Sequence, residues 1–455
     1  MKPERFLRDK GLRSCFNTEV KDFFQNLLPP QHPLRLVYHK WKAILAALYY
    51  GFPTKDMVVI AVTGTKGKTT TCNMIHQIFS EAGKRTGLLT TVNFKIGDRE
   101  EANLANKSTL SPFVLNRKLK EMRDARCEVL VLEVTSHALI QNRIWGINVD
   151  TAVFTNLTQD HLDYHETMEE YMKAKGKLFA RLNTSDRKPG LGKVAVVNMD
   201  DPAHDYFCSF PVDQLFEYGI LKGTYVGRNL ESHPAGTDFL FRIPNGEVPV
   251  KLQIPGRMNV YNAIAAATVA TAHKINLQTI QTALDKMKPV AGRIEVIQEG
   301  QPFTAVVDYA HTEDSLDQIL GMFRELTQGK LILVFGATGD RDTTKRPKMG
   351  AVAHKYCDLI IVTDDDPYTE DSKRIAAMIK EGIPREEGNG FWQVLDRREA
   401  IRLALSLAHA GDTVVVAGKG AEEFQIVGRQ RIPHDDRKVV REFLSRPMDI
   451  EVPLA

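Results

Sequence analysis

The chain of 455 residues carries 60 Lys and Arg against 57 Asp and Glu, and a net charge of +3 over that length gives no case for a general nucleic-acid or membrane partner. With 43% hydrophobic and 26% charged residues it is an ordinary globular composition, too long for one core, so two or three domains are expected. Cys15, Cys72, Cys127, Cys208 and Cys357 lie far apart with no CxxC pair, which excludes a disulfide framework or zinc ribbon and points to buried thiols in a reducing, cytoplasmic setting.

The first residues, MKPERFLRDKGLRS, are basic but have no apolar stretch behind them, so they are not read as a secretory signal. No apolar run approaches the roughly 20 residues that a membrane-spanning helix needs. His32–Phe52 reads as an apolar, aromatic helix with basic residues at its start. Such a helix fits either a membrane surface or packing on the domain that follows, and packing is the expectation. Residues 1–55 are therefore taken as a helical extension.

From residue 56 onward short β-branched runs alternate with helical patterns. The runs are Met57–Val62, Val129–Val134, Thr151–Leu157, Val194–Met199, Thr304–Tyr309, Leu331–Gly336, Leu359–Thr363 and Thr413–Ala417. Uniformly apolar strands separated by helices predict an α/β fold with mostly parallel sheets covered on both faces. Pro289 and Gly292 interrupt the chain after a helical pattern at Asn276–Met287, which places a domain boundary there. The expected division is a central domain at 56–289 and a C-terminal Rossmann-like domain at 290–455. Residues 209–255, rich in Gly, Pro and alternating residues, are expected to form a small antiparallel insert.

The first chemical signal is VIAVTGTKGKTTT at 59–71, a buried strand that turns into a helical pattern through Gly64, Thr65, Lys66, Gly67, Lys68, Thr69 and Thr70. Glycines let successive backbone N–H groups face phosphate oxygens, and the helix N-terminus adds partial positive charge. Lys68 is placed to reach terminal phosphates and the Thr69 hydroxyl to ligate Mg²⁺. The spacing is shorter than the usual GxxxxGK[ST], but the strand–loop–helix context supports a nucleoside triphosphate site.

Other segments add groups suited to a phosphoryl-transfer site. Glu133 ends an apolar strand and is followed by Thr135, Ser136 and His137. Asp160, His161, Asp163 and His165 follow the strand at Thr151–Leu157, and Lys175 sits within a helical pattern. Residues beyond the carboxyl ends of parallel strands gather where open α/β sheets bind ligands. Hard oxygen donors such as Thr69 and Glu133 suit Mg²⁺, and His161 is an acceptable further ligand.

The segments GTKGKTTT, LEVTSHAL, FTNLTQDHLDYHETMEEYMKAKGKLF, PGRMNVYNAIAAA, GRIEV, VDYAHT, FGATGDRDTTKRPKMG, TDDDPYTED, AGKGAEEFQ and HDDRKVVREFL occur in the order seen in the Mur ligase family. Over about residues 56–445 the chain resembles the enzymes that add the third amino acid of the peptidoglycan stem peptide. The resemblance implies an ATP-dependent amide ligase: a substrate carboxylate is phosphorylated, an amino acid's amine attacks the acyl phosphate, and phosphate leaves. It assigns catalytic roles to Lys68, His161 and Lys175. It places one Mg²⁺ on Thr69 and Glu133 and a second on His161 and Lys175, the lysine carrying CO₂ as a carbamate. Asn262, Arg293, Asp308 and His311 correspond to nucleotide-side groups. Ser108, Thr109, Ser136 and Arg143 correspond to acceptor-contacting positions, and Asp365, Asp366, Tyr368 and Glu422 to the amino-acid side.

Three departures bear on the substrates. The residues before 56 lack the Gly-rich strand pattern of the family's UDP-binding N-terminal domain, which leaves UDP-muramoyl-dipeptide as one acceptor and a nucleotide-free acid or poly-amino acid, of the cyanophycin type, as the alternative. Enzymes that add meso-diaminopimelate carry Asp-Asn-Pro-Arg, whereas this chain has Asp365-Asp366-Pro367-Tyr368. Without the guanidinium, bidentate recognition of the distal carboxylate is lost, and the two aspartates are expected to suit a lysine-like or neutral side chain. The neighbouring Gly-Lys-Gly-His-Glu reads Gly418-Lys-Gly-Ala421-Glu422, keeping the glutamate and losing the histidine, and the family's acceptor-contacting Thr-Thr-Pro reads Ser108-Thr109-Leu110, which keeps the hydroxyls. Small-molecule substrates, no nucleic acid and a monomer are the expectations for partners.

Overall fold

The computed structural model describes residues 32–103, 109–160, 162–233 and 236–445. Nineteen strands are labelled here in chain order. The first eleven are β1 (Val58–Thr63), β2 (Thr86–Leu89), β3 (Asn93–Ile96), β4 (Arg99–Ala102), β5 (Val129–Glu133), β6 (Thr151–Phe154), β7 (Val194–Asn198), β8 (Gln214–Gly219), β9 (Tyr225–His233), β10 (Gly236–Ile243) and β11 (Gly246–Leu252). They form one sheet in the order β11-β10-β9-β8-β7-β6-β1-β5-β2-β3-β4. The centre is parallel: β1 pairs with β5 and β6, β2 with β5, and β6 with β7. These strands are β-branched and buried along almost their whole length, the pattern a sheet needs when helices cover both faces.

Eight further strands are β12 (Glu295–Ile297), β13 (Thr304–Asp308), β14 (Leu331–Phe335), β15 (Leu359–Val362), β16 (Phe391–Gln393), β17 (Thr413–Ala417), β18 (Phe424–Val427) and β19 (Gln430–Pro433). The second sheet runs β12-β13-β17-β14-β15-β16, and only β12 is antiparallel to its neighbour. Alternate residues of each strand feed opposite cores. Val306, Leu333 and Val415 join one apolar cluster, and Val307, Val334 and Val416 the other.

All eight strand runs expected from the residues are present, within one residue at either end except that the run at Thr151–Leu157 stops three residues early, at Phe154. The stretch at 209–255 departs from expectation. Instead of an antiparallel insert beginning there, β8 pairs in parallel with β7, and β9 in parallel with β8, so these strands lengthen the main sheet. Full burial in β8 is confined to Tyr218 and Gly219 and in β9 to Val226 and Gly227, about where the two strands pair, and the residue pattern along either strand does not by itself fix its direction.

The chain divides into two compact units, one reaching to Gly227 with Phe241–Val248 and Tyr261–Ala283, the other comprising Arg228–Leu240, Pro249–Val260 and the chain from Leu284 onward. The early helix runs Pro33–Tyr50, capped by the His32 ring and ended by Gly51 in the left-handed conformation. It packs on the Pro112–Asp124 helix and buries Ala43, Ala46 and Ala47. No helix among the described residues is long and apolar enough to cross a membrane.

Candidate active site

β1 delivers Thr63 into a loop that becomes the Lys68–Glu81 helix. Gly64 and Gly67 hold φ angles of 149° and 78°, a region that side chains disfavour. A Cβ on Gly64 would lie 1.9 Å from Thr155 Oγ1, and one on Gly67 would lie 2.1 Å from Asn262 Oδ1. The segment after β6 holds the loop in place: the Asn156 carbonyl accepts from Thr65 N at 2.8 Å, its amide oxygen accepts from Lys66 N at 2.8 Å, and Thr155 Oγ1 donates to Lys66 O at 2.7 Å.

Two lysines converge on one carbonyl. Lys68 Nζ donates to Gly64 O at 3.1 Å and to Thr65 O at 2.7 Å, and Lys175 Nζ donates to Gly64 O at 2.7 Å. Lys175 is buried and its Nζ stands 4.0 Å from the centre of the Tyr171 ring. Burial, reinforced by the Lys68 charge, holds its amine well below the usual lysine range.

Glu133 is buried at the end of β5 and already has donors. Its Oε2 accepts from Thr69 Oγ1 at 2.8 Å and from Thr91 N at 3.0 Å, and its Oε1 from Thr91 Oγ1 at 2.9 Å. The parallel register sets Val62 beside Glu133, which brings the phosphate-loop helix and the carboxylate to the same strand end. Asn262, on the Arg257–Ala272 helix, accepts from Thr71 Oγ1 at 3.2 Å, so the Asn262 side chain reaches the loop helix. Thr70 lies in that helix's first turn.

The residues expected on the acceptor side adjoin this cluster. Thr109 Oγ1 donates to the Glu133 carbonyl at 3.4 Å, and Arg143 Nη1 donates to the Thr109 carbonyl at 2.7 Å. The remaining guanidinium donors of Arg143 hold Gln141 Oε1 at 2.9 and 2.7 Å. Ser136 Oγ and His165 Nε2 are 2.8 Å apart, both buried. Ser108 and His161 lie outside the described residues. Among the described residues no three His, Cys, Asp or Glu side chains converge on a metal position.

The second unit holds two further groupings. Around Tyr309, the Arg293 guanidinium lies 4.6 Å over the ring and His311 Nδ1 is 2.8 Å from the Tyr309 carbonyl. Asp308, buried at the end of β13, accepts from Ile294 N and Ala310 N, each at 2.8 Å. Burial raises the Asp308 carboxyl against the opposing pull of Arg293, and burial lowers His311.

The other grouping surrounds Lys419, which is fully buried. Its Nζ stands 2.8 Å from Asp366 Oδ1, 2.7 Å from Glu422 Oε2 and 3.8 Å from Asp365 Oδ1. Burial opposes its charge, yet Asp365, Glu422 and Asp366 together raise it above the usual lysine range. Asp365 and Asp366 therefore do not stand alone: Lys419 answers part of their charge, and Asp366 also accepts from Ile426 N at 2.8 Å. Tyr368 adopts a positive φ of 50° and is tied by its backbone to Ile426 and Gly428.

Thr91 and Tyr171 were not singled out from the residues alone. Thr91 sits in the plain stretch TTVNF, where nothing signals a carboxylate partner 42 positions on. Tyr171, four residues before Lys175 on one helix, is at the spacing that puts two side chains on one face, and that spacing could have found it.

Two family models match the chain, the Mur ligase middle domain over residues 62–270 and the Mur ligase, glutamate ligase domain over residues 292–420. A UDP-N-acetylmuramoyl-L-alanyl-D-glutamate–2,6-diaminopimelate ligase of Geobacillus kaustophilus is 45% identical over 402 residues, covering 88% of this chain and 81% of that one. A UDP-N-acetylmuramyl-tripeptide synthetase of Roseiflexus is 40% identical over 414 residues, covering 89% and 81%. A solved structure of a UDP-N-acetylmuramoyl-L-alanyl-D-glutamate–2,6-diaminopimelate ligase superposes with a TM-score of 0.64 at 33% identity, covering 90% of this chain and 82% of that one.

Proposed function

Because the chain belongs to the Mur ligase family of ATP-dependent, carbon–nitrogen bond-forming ligases, we propose that it joins an amino acid to the terminal carboxylate of UDP-N-acetylmuramoyl-L-alanyl-D-glutamate through an acyl phosphate. The observation that carries this reading is the junction of Thr69, Glu133 and Lys175 at one phosphate loop.

In this reading Gly64, Thr65, Lys66, Gly67, Lys68, Thr69 and Thr70 cradle the triphosphate of ATP, and Lys68 turns from the loop carbonyls to the terminal phosphates. Asn262, Arg293, Asp308 and His311 serve the nucleotide. Family members use Mg²⁺, and the buried hydroxyl–carboxylate pair of Thr69 and Glu133 is the hard-oxygen donor set that this cation takes. A second Mg²⁺ falls to His161 and to Lys175 as its carbamate. When bound, the two ions offset the repulsion between the acceptor carboxylate and the γ-phosphate.

Lys175 suits carbamate formation because CO₂ reacts only with the unprotonated amine, and burial favours that form. The neutral amine nitrogen bonds to the CO₂ carbon, one proton leaves, and an uncharged amine becomes an anionic, carboxylate-like ligand. The acceptor carboxylate then attacks the γ-phosphorus of ATP, ADP departs, the amino group of the second substrate attacks the acyl carbon, and phosphate leaves. Ser108, Thr109, Ser136 and Arg143 orient the acceptor.

Asp365, Asp366, Tyr368 and Glu422 serve the amino acid. With Tyr368 in place of a guanidinium, and Asp365, Asp366 and Glu422 sharing the single ammonium of Lys419, these groups offer nothing to a distal carboxylate, and the proposed amino acid is lysine-like or neutral. The test is amino-acid-dependent ADP release with UDP-muramoyl-dipeptide and nucleotide-free acceptors in parallel. The proposal expects turnover with the UDP-linked dipeptide, and turnover confined to nucleotide-free acids would replace that acceptor.

A further inference from the structure

We propose that the outer face of the Pro33–Tyr50 helix is a docking surface for an anionic lipid bilayer, on which the helix lies in the plane of the interface. Leu34, Val37, Trp41, Leu45 and Leu48 recur at steps of three and four and so share one side of the helix. They are 60%, 51%, 59%, 40% and 58% exposed, and Tyr49 and Phe52 extend the patch. A surface helix ordinarily turns its large apolar residues inward. Here only Ala43, Ala46 and Ala47 are fully buried, with Leu36 and Tyr50 half-buried on the same side, while five other large apolar side chains face out. A contiguous stripe of this kind marks an interaction surface, unlike singly scattered apolar residues.

The charge around the stripe selects the occupant. From His32 to Lys55 there is no Asp or Glu, while Arg35, Lys40, Lys42 and Lys55 are all basic. That local excess exceeds the net charge of the whole chain. Lys40 is exposed, and Arg35 and Lys42 are half-buried beside the stripe, positions from which long stems can reach headgroups while the apolar side chains enter the acyl boundary. Trp and Tyr are the side chains favoured at that depth. Pairing with a second copy would bring two acid-free basic helices together, whereas anionic headgroups neutralise the same charges.

The full chain should co-sediment with vesicles of phosphatidylcholine mixed with phosphatidylglycerol, and not with phosphatidylcholine alone. Raised salt should weaken that binding about tenfold or more. The Trp41→Ser/Leu48→Gln double variant should lose binding about tenfold or more while its melting temperature and ligase turnover stay unchanged. A second variant, Lys40→Glu/Lys42→Glu, should lose the preference for anionic vesicles. No binding to anionic vesicles, or binding that the double variant leaves intact, would overturn the proposal. A dimer that the double variant dissociates would assign the face to a second copy. A fall in melting temperature of the double variant without vesicle binding by the parent would assign it to the chain's own residues.

Discussion

Lys175 and Gly64 are joined by a 2.7 Å hydrogen bond from the buried amine to the first carbonyl of the phosphate loop. The same carbonyl receives Lys68 at 3.1 Å. Two amines on one oxygen cannot both carry full charge at low cost, and the deeper one yields: burial and the Lys68 charge favour neutral Lys175. A neutral amine is the form that CO₂ modifies, so the geometry of the ligand-free loop supports the role proposed for this lysine.

Replacing Lys175 by Ala should lower ADP release on the order of 10²–10³-fold, the scale of losing one charge-stabilising group in a water-excluded site. A small carboxylate such as acetate should restore part of the activity, because the void can admit a surrogate anion. Lys175→Met should be equally inactive but at least as thermostable as the parent, since a buried amine gives way to an apolar side chain of similar length. Undiminished activity in Lys175→Ala without added carboxylate would remove the carbamate role.

Thr91 supplies two of the three hydrogen bonds that orient Glu133. Thr91→Val removes the hydroxyl contact at 2.9 Å and keeps the backbone one. Partners that fix a metal ligand are worth about 10–100-fold in metal affinity, so the Mg²⁺ concentration for half-maximal ADP release should rise by about that factor, with the melting temperature little changed. An unaltered Mg²⁺ dependence would show that Thr69 and the backbone alone fix the carboxylate.

The parallel strands were legible because each is apolar on both faces, a demand that few other contexts make. Glycine and lysine spacing marked the loop at 64–70 and strand ends marked Glu133, because a parallel sheet gathers its ligand groups there, and the fold brings the two together through Thr69. Partners brought by distant segments were not legible. Asp366 reads as a free charge until Lys419, 53 positions later, is seen to pair with it. Asn262 stood out only through the resemblance, although the 2.1 Å approach to any Cβ on Gly67 explains why loop and helix need those residues together. The Gly, Pro and alternating residues of 209–255 were read as an antiparallel insert, but β8 and β9 pair in parallel, because direction depends on pairing, which the pattern along one strand does not encode.

Tyr368 tests the choice of amino acid. Lysine should outcompete meso-diaminopimelate in the parent enzyme, as no guanidinium stands at 368 to form a bidentate pair. Tyr368→Arg should improve use of meso-diaminopimelate relative to lysine by about tenfold or more, a charge-assisted hydrogen bond being worth about 1.5–3 kcal/mol. Its backbone bonds to Ile426 and Gly428 do not involve the side chain, so the variant should fold. A parent enzyme that prefers meso-diaminopimelate would refute this reading of the pocket.

His76 sets a pH dependence of stability apart from catalysis. It is buried on the Lys68–Glu81 helix, and both its ring nitrogens are without hydrogen-bond partners among the described residues. Burial, with help from Lys95, lowers its pKa from 6.5 to about 3. Between those values the unfolded chain takes up a proton that the native state refuses, so stability is intact above pH 6.5 and declines as pH falls toward 3. The slope is about 1.4 kcal/mol per pH unit, or about 2 kcal/mol between pH 6.5 and 5. His76→Met removes the titration, so urea unfolding at pH 7 and at pH 5 should differ by about 2 kcal/mol less in the variant than in the parent. Equal pH sensitivity in the two proteins would mean that His76 takes its proton inside the fold, through an opening that lets water reach the ring.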